Sequence, residues 1–593
     1  MTQVSQDSTV HDVVIIGSGA GGGTVTKVLT DLGIRVLLME AGPMISIGDY
    51  KTMEAPYQTA WHRGAGEAAA LYTSGQTSTF SYNASFAANL LDEPYTVAPG
   101  SQFRLFRSRV IGGRTNHYAR VQLRYSDYDF KPKSMRGVGW DWPISYDDLA
   151  PYYDKAERFI GVTGKPEGLR SAPDGIFQTP APFKPHEHLI FRSCAKLGIK
   201  ATSSRQAVIT SALNGRPGCV YCGQCGRGCK FASNYSSAYV QIFPAMKTGR
   251  VTTLTNAMAR ELITDASGKV TAVSYIDKTT GAERQVRCRT VVLSAAACES
   301  ARLLLNSKSS RHPNGLANAG GMVGKYLTDT VGFGLSASVP YLRGTPIFNS
   351  DGYGAHLYIP WWMADRHNEL DFPFGYHVEV GGGGFGMPGL GFGAAAYAES
   401  EGYGLPMKQA IRDAYGGATV SLTGRGSMVP NENCYCEIDP DTKDKWGIPV
   451  LRFHWKWSDY ELNEARHMRD SFRAILETLG GTVTTGRGGG GRGAGAGAAA
   501  ATTPSATDQR PDDRPALGAG GGIIHEVGCV RMGNSPKDGV LNKFCQAHDV
   551  PNLFSADGGP FVSHGDKNPT HTIIALAWRT AEYLAEEMRK GNV

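Results

Sequence analysis

Apolar positions along the chain follow two different rhythms. Near the start, His-Asp-Val-Val-Ile-Ile (His11–Ile16) is a short, β-branched run of the kind that forms a strand buried on both faces. The glycine turn Gly17-Ser-Gly19-Ala-Gly-Gly22 follows at once. Residues 24–32 then carry helical spacing, and 35–39 form a second apolar strand ending in Glu40. Strand patterns return at 251–255, 270–276 and 290–293, the last leading into a helix over 301–306. Between about 331 and 480 the rhythm changes to alternation. There 357–360, 376–380 and 450–457 read as antiparallel strands, 381–393 as a glycine-rich loop and 440–447 as a turn. Residues 459–479 read as a helix stopped by Gly480, and Ser145 as the N-cap of an earlier one. The chain closes on a helix over 570–588 with an apolar stripe of Ile573, Ile574, Leu576, Ala577 and Leu584.

Strand, glycine turn, helix, strand and acid form the dinucleotide fingerprint in its proper setting. Gly17, Gly19 and Gly22 permit the tight turn and let backbone N–H groups and the helix N-terminus approach a pyrophosphate. Glu40 is placed for the adenosine ribose hydroxyls. The fingerprint alone does not separate FAD from NAD. An N-terminal fingerprint completed by a C-terminal strand, here 552–557, is the habit of FAD folds. The expected class is α/β (α+β overall): a Rossmann-type domain with an antiparallel-sheet substrate domain.

The length of 593 residues calls for two intertwined domains. The first is expected over 1–130, 206–330 and 523–593, and the substrate domain over 131–205 and 331–485. Glycine is in large excess, at 75 residues, and is concentrated in tracts. Residues 486–522 are Arg-Gly-rich, then Ala-rich, then Thr/Pro/Asp-rich, and read as a disordered insertion. A formal charge of +6 over this length argues for no nucleic-acid partner. No apolar run of about 18 residues is present, so no transmembrane segment is expected. The polar N-terminus is not a signal peptide, which implies a cytoplasmic protein, or a periplasmic one exported with a partner that carries the signal.

Four of the 11 cysteines fall together: Cys219, Cys222, Cys225 and Cys229. Their C-x2-C-x2-C-x3-C spacing is the run that bacterial ferredoxins use for iron–sulfur clusters, so a [3Fe-4S] or [4Fe-4S] centre is expected there. Lys230 stands where ferredoxins carry proline. A zinc site or plain reduced thiols are the alternatives. A cluster would carry electrons onward and mark a dehydrogenase rather than an oxidase.

The C-terminal stretch supplies the candidate chemistry. An alcohol releases a hydride readily only when its hydroxyl proton leaves too. A histidine is the usual base for that proton, and His525 fits. Asn568, just before Pro569 and Thr570, can hold the same hydroxyl in register. His564 and His571 are nearby rivals, His571 being expected along its helix face and His564 remaining a possible substrate contact.

Together with Gly112-Gly113-Arg-Thr-Asn116-His117-Tyr118, the fingerprint and the His525…Asn568-Pro569-Thr570 element resemble the glucose-methanol-choline (GMC) oxidoreductases. Bacterial sugar and glycoside dehydrogenases are the branch most resembled, with pyranose oxidases near. The resemblance implies FAD, with Arg109, Gly113, Asn116 and His117 in a segment that passes the flavin ring, and Asp557 near the ribityl-pyrophosphate region. In pyranose oxidases a histidine at the place of His117 carries the flavin covalently. It further implies oxidation of a secondary hydroxyl of a sugar or glycoside, at C3 in the branch most resembled, with a small subunit and a cytochrome c-type acceptor. An O2-using oxidase with a cluster-free cysteine loop and a non-catalytic flavin electron-transfer subunit are the alternatives.

Overall fold

The computed structural model describes residues 5–50, 52–53, 86–222, 225, 228–342, 356–382, 404–408, 419–488 and 513–593. The glycine-rich loop expected after 381 and the low-complexity tract over 489–512 lie outside the described residues.

The first sheet has seven strands. Val251–Leu254, Val36–Met39 (β2), Ser5–Ile16 (β1) and Glu283–Leu293 run parallel, and Val270–Asp277 and Ala257–Thr264 extend the sheet antiparallel. Leu553–Ser555 pairs in parallel with residues 291–293, at the carboxyl end of Glu283–Leu293. A C-terminal segment is thereby brought beside the ends of β1 and β2, where ligands bind in open α/β sheets.

Helix α1 (Ala20–Asp31) starts inside the glycine turn rather than at residue 24 as its side-chain pattern suggested. Its first turn is glycine because of crowding. A methyl at Gly21 would collide with the carbonyl of Ala556, and one at Gly22 with the carbonyl of Gly17. Val25, Val28 and Leu29 pack in one core with Ile574, Ala577, Ala581 and Leu584 of the C-terminal helix Thr570–Lys590. The expected helix at 301 likewise starts earlier, at Ala297. Ser145 caps Tyr146–Ile160 as expected, in a reciprocal capping box with Asp148.

The second sheet has six antiparallel strands, in the order Thr482–Gly488, Val331–Ser338, Thr419–Gly426, Tyr376–Gly382, Leu357–Ile359, Thr202–Ser203. Tyr376, Val378 and Val380 point to one face, where they join a core with Met468, Phe472 and Ile475 of the helix Asp459–Thr478. His377 and Glu379, one position out of phase, belong to the other face.

Two parts of the expected insertion are ordered. The strand from Thr482 runs to Gly488, and residues 513–522 are packed. The backbone of Gly520 is bound to Gln102 and Arg104, and the carbonyl of Gly518 accepts from Trp457 Nε1 at 2.8 Å. Composition argued for disorder, but backbone pairing and a bed of tryptophan hold this stretch. The expected turn at 440–447 is shorter than predicted, because the strand Tyr435–Lys443 continues through a bulge. Among the described residues no helix is long and apolar enough to cross a membrane.

Candidate active site

A cavity of about 330 Å³ lies between the carboxyl ends of the parallel strands and the polar face of the antiparallel sheet. Its floor is the fingerprint. Gly17, Ser18, Gly19 and Gly21 line it, and a methyl on Gly19 would meet no atom within 4 Å, so the start of α1 leaves room for a phosphate. Gly113, with a left-handed φ of 51°, approaches Gly19 from the opposite wall. Gly22 does not reach the cavity and serves only the packing of helix on turn.

Glu40 lines the cavity and has a second task. Its Oε2 accepts from Ser18 Oγ at 2.5 Å and Ser18 N at 3.3 Å, and Oε1 from Gly42 N at 2.8 Å, so it ties the fingerprint turn to the end of β2. Burial raises its pKa, against these hydrogen bonds and the charge of Arg109. Ser294 Oγ, at the end of Glu283–Leu293, is buried in the cavity wall with no protein partner. Asp557 also lines it, accepting from Ser300 Oγ at 2.5 Å and Gly559 N at 2.8 Å. A glycine-rich turn, an orphaned hydroxyl and two buried acids suit a dinucleotide's phosphates and ribose.

Three predicted residues are placed otherwise than a simple lining role. Arg109 borders the cavity, but its guanidinium is held by Glu93 at 2.7 Å and Glu299 at 3.3 Å in a buried ionic cluster. Asn116 is fully buried away from the cavity. Its Nδ2 donates to the carbonyls of Ile111 and Gly113, and its Oδ1 accepts from Tyr50 Oη at 2.6 Å and Ser236 Oγ at 2.8 Å, so it shapes the glycine turn from behind. His117 lines the cavity with Nε2 3.0 Å from Ser108 Oγ and Nδ1 buried without a protein partner. Burial first, then the charges of Arg120 and Arg114, lower its pKa to about 3 and keep the ring neutral.

At the other end stand His525 and Asn568, with Asn568 Nδ2 3.3 Å from His525 Nε2. The amide donates, so Nε2 carries the lone pair and the proton sits on Nδ1, which donates to Thr330 Oγ1 at 2.8 Å. Asp329 Oδ1 accepts from the backbone N–H of His525 at 3.0 Å. Burial, followed by His564 and Arg425, holds the pKa of His525 well below the ordinary histidine value, against the opposing charge of Glu379. A neutral imidazole with a bare Nε2 facing a cavity is a base ready to take a proton. Asn568 Nδ2 also reaches Glu379 Oε1 at 3.3 Å, while its Oδ1 is buried without a protein partner. Pro569 and Thr570, at the start of the C-terminal helix, complete this end.

The rival histidines stand outside the cavity. His564 is packed behind His525, with Nε2 3.0 Å from the His525 carbonyl, so it braces that backbone. His571 is fully buried, 3.0 Å from Glu157 Oε1. The sequence reading missed Asp329, Thr330 and Arg425 as site residues. Their signal was weak: the first two precede a strand, and Arg425 sits in a glycine-rich one.

Family models described as GMC oxidoreductase match residues 12–331 and 430–577. The chain is a GMC oxidoreductase. It is thus an FAD-dependent oxidoreductase of alcohol or sugar hydroxyls. Among relatives of this GMC chain, 2-methyl-1,2-propanediol dehydrogenase of Mycolicibacterium austroafricanum is 31% identical over 98% of this chain and 96% of the relative. The fructose dehydrogenase large subunit of Gluconobacter japonicus is 27% identical over 99% and 100%. A solved structure of an Aspergillus oryzae formate oxidase variant superposes with a TM-score of 0.62 at 17% identity, over 98% of this chain and 99% of that one, and shows the shared fold.

The cysteine loop does not bear out a cluster. Cys219, Cys222, Cys225 and Cys229 line one cavity of only about 10 Å³, space for roughly one water. None of the four is in a disulfide, and among the described residues no group of three or more His, Cys, Asp or Glu is disposed to hold a metal. Residues 223, 224, 226 and 227 of the loop lie outside the described residues.

Proposed function

We propose that this GMC oxidoreductase oxidises a secondary hydroxyl of a sugar or glycoside to a ketone, at C3 of a glycoside, with His525 as the base and Asn568 as its partner. FAD, when bound, supplies the hydride acceptor. The observation that carries the reading is the setting of His525: Nδ1 lies 2.8 Å from Thr330 Oγ1 and Nε2 3.3 Å from Asn568 Nδ2, an arrangement that suits a neutral ring with Nε2 unprotonated. Nε2 accepts the substrate hydroxyl proton. Asn568, whose Oδ1 and Nδ2 both lie at this end, holds that hydroxyl in line. The N-terminus of the helix Thr570–Lys590 abuts the same space, and its partial positive charge favours negative charge developing there.

The domain division is part of this proposal: residues 1–130, 206–330 and 523–593 hold the cofactor, and 131–205 and 331–485 form the substrate wall. Supporting a carbohydrate substrate is the likeness to a fructose dehydrogenase large subunit. Its designation as a large subunit also supports a partner subunit here, and a cytochrome c-type acceptor is part of the same proposal. A cluster at Cys219, Cys222, Cys225 and Cys229 is proposed on spacing alone. The thiols as placed do not form a ligand group, so no electron-transfer step is drawn through them. Iron and sulfide analysis of anaerobically purified protein tests it.

The function is tested by adding methyl glucoside and a dye acceptor to the holoenzyme and identifying the product by NMR. A 3-keto glycoside with dye reduction and no hydrogen peroxide in air is expected. Peroxide at the rate of substrate loss would make the protein an oxidase, and a product oxidised at another carbon would move the assigned position.

A further inference from the structure

Glu379 and Arg425 form a charged pair in the wall of the cavity that holds His525 and Asn568. Arg425 Nη2 lies 3.0 Å from Glu379 Oε2, with side chains only 7% and 14% exposed. Both rise from the polar face of the antiparallel sheet. His377 is directly opposite Arg425 across the strand pair, and Glu379 follows two positions later on the same face. A buried charged pair adds little to stability compared with apolar residues of the same size, because desolvation offsets the attraction. The apolar side of the same strand, at Tyr376, Val378 and Val380, shows what the sheet uses where packing is the only demand.

The pair is also tied to the chemistry. Asn568 Nδ2 lies 3.3 Å from His525 Nε2 and 3.3 Å from Glu379 Oε1, so one amide separates the base from the carboxylate. A carbinol held at His525 and Asn568 therefore presents its neighbouring carbon to Glu379 and Arg425. There a carboxylate accepts a hydrogen bond from a hydroxyl and a guanidinium donates one to its oxygen. Opposite charges stand side by side there, with His377 Nε2 3.8 Å from Glu379 Oε1, so the wall suits a neutral polar group.

We infer that Glu379 and Arg425 are specificity residues that recognise a second hydroxyl on the carbon next to the one oxidised, making the site selective for neutral vicinal diols, sugars included, over monohydric alcohols. This rests on the reading of His525 and Asn568 as the reacting pair and adds the substrate feature that pair does not supply. A site built to hydrogen-bond a substrate hydroxyl rejects the analogue that lacks it far more strongly than an apolar pocket discriminates by size.

The test compares anaerobic flavin reduction in the holoenzyme by methyl glucoside and by its 2-deoxy and 4-deoxy analogues, in wild type, Glu379→Gln and Arg425→Lys, with flavin absorbance confirming that each variant is loaded. In wild type, kcat/KM for the parent glycoside should exceed that for at least one deoxy analogue by about a hundredfold or more. Glu379→Gln should collapse that ratio by about tenfold or more, whatever it does to both rates together, and Arg425→Lys should lower it less. A ratio unchanged in both variants, or a wild type indifferent to the neighbouring hydroxyl, overturns the inference while leaving His525 as base. A wild-type flavin reduced by none of these sugars overturns both this inference and the functional reading beneath it.

Discussion

Thr330 Oγ1 lies 2.8 Å from His525 Nδ1, while Nε2 of the same ring is turned to Asn568 at 3.3 Å. With the Nδ1 N–H donating to a hydroxyl just before the strand Val331–Ser338, Nε2 of the neutral ring can only accept. Thr330→Val keeps the shape and removes the acceptor. Loss of a buried hydrogen bond of this kind costs about 1–3 kcal/mol, so the rate of flavin reduction by substrate should fall roughly tenfold to a hundredfold. Stopped-flow absorbance of the loaded variant checks this, and an unchanged rate would remove Thr330 from the account.

The pH dependence has a definite sign. The base must be neutral to act, and burial lowers the pKa of His525 well below the ordinary histidine value. Flavin reduction should therefore stay level as pH falls through the range where a free histidine gains its proton, near 6.5, and decline only at more acid pH. A decline beginning above that value would contradict the assignment.

Asn568→Asp gives the converse shift. A carboxylate beside Nε2, where the amide now lies at 3.3 Å, favours the imidazolium. The acid limb of the profile should then move up by about 1–3 pH units. The same pH profile, measured on the variant, reads it.

Gly19 and Gly21 should respond differently to a single methyl group. At Gly21 it would meet the Ala556 carbonyl, so Gly21→Ala should lower the thermal midpoint of the protein even without flavin. At Gly19 it would meet no protein atom within 4 Å, so if FAD lies against this turn as proposed, Gly19→Ala should fold normally and lose FAD. Melting curves of flavin-free protein, together with the FAD-to-protein ratio, separate the two effects.

The parts of the site that the sequence revealed are those encoded locally. The fingerprint is read from one strand, one turn and one acid within a few dozen residues, and the helix after Asn568 announces itself with Pro569. His525 and Asn568 were legible through their chemistry and the resemblance of their surroundings. Thr330 and Asp329 were not, because their role depends on a strand start meeting a segment far along the chain. Asn116 and Arg109 lie in a segment that the resemblance sets beside the cofactor, but only the fold shows that their side chains turn into a hydrogen-bonded turn and an ionic cluster. Residues 513–522 show the limit of composition: low complexity predicted disorder, whereas backbone pairing with Gln102 and Arg104 orders them.

The most direct measurement is anaerobic flavin reduction in wild-type and His525→Ala holoenzyme, each carrying its full complement of FAD and given the same glycoside. The account predicts rapid bleaching of the wild-type flavin and a loss of about a hundredfold or more in the variant, within the range expected for removal of a general base. Equal bleaching in both would show that another group takes the proton.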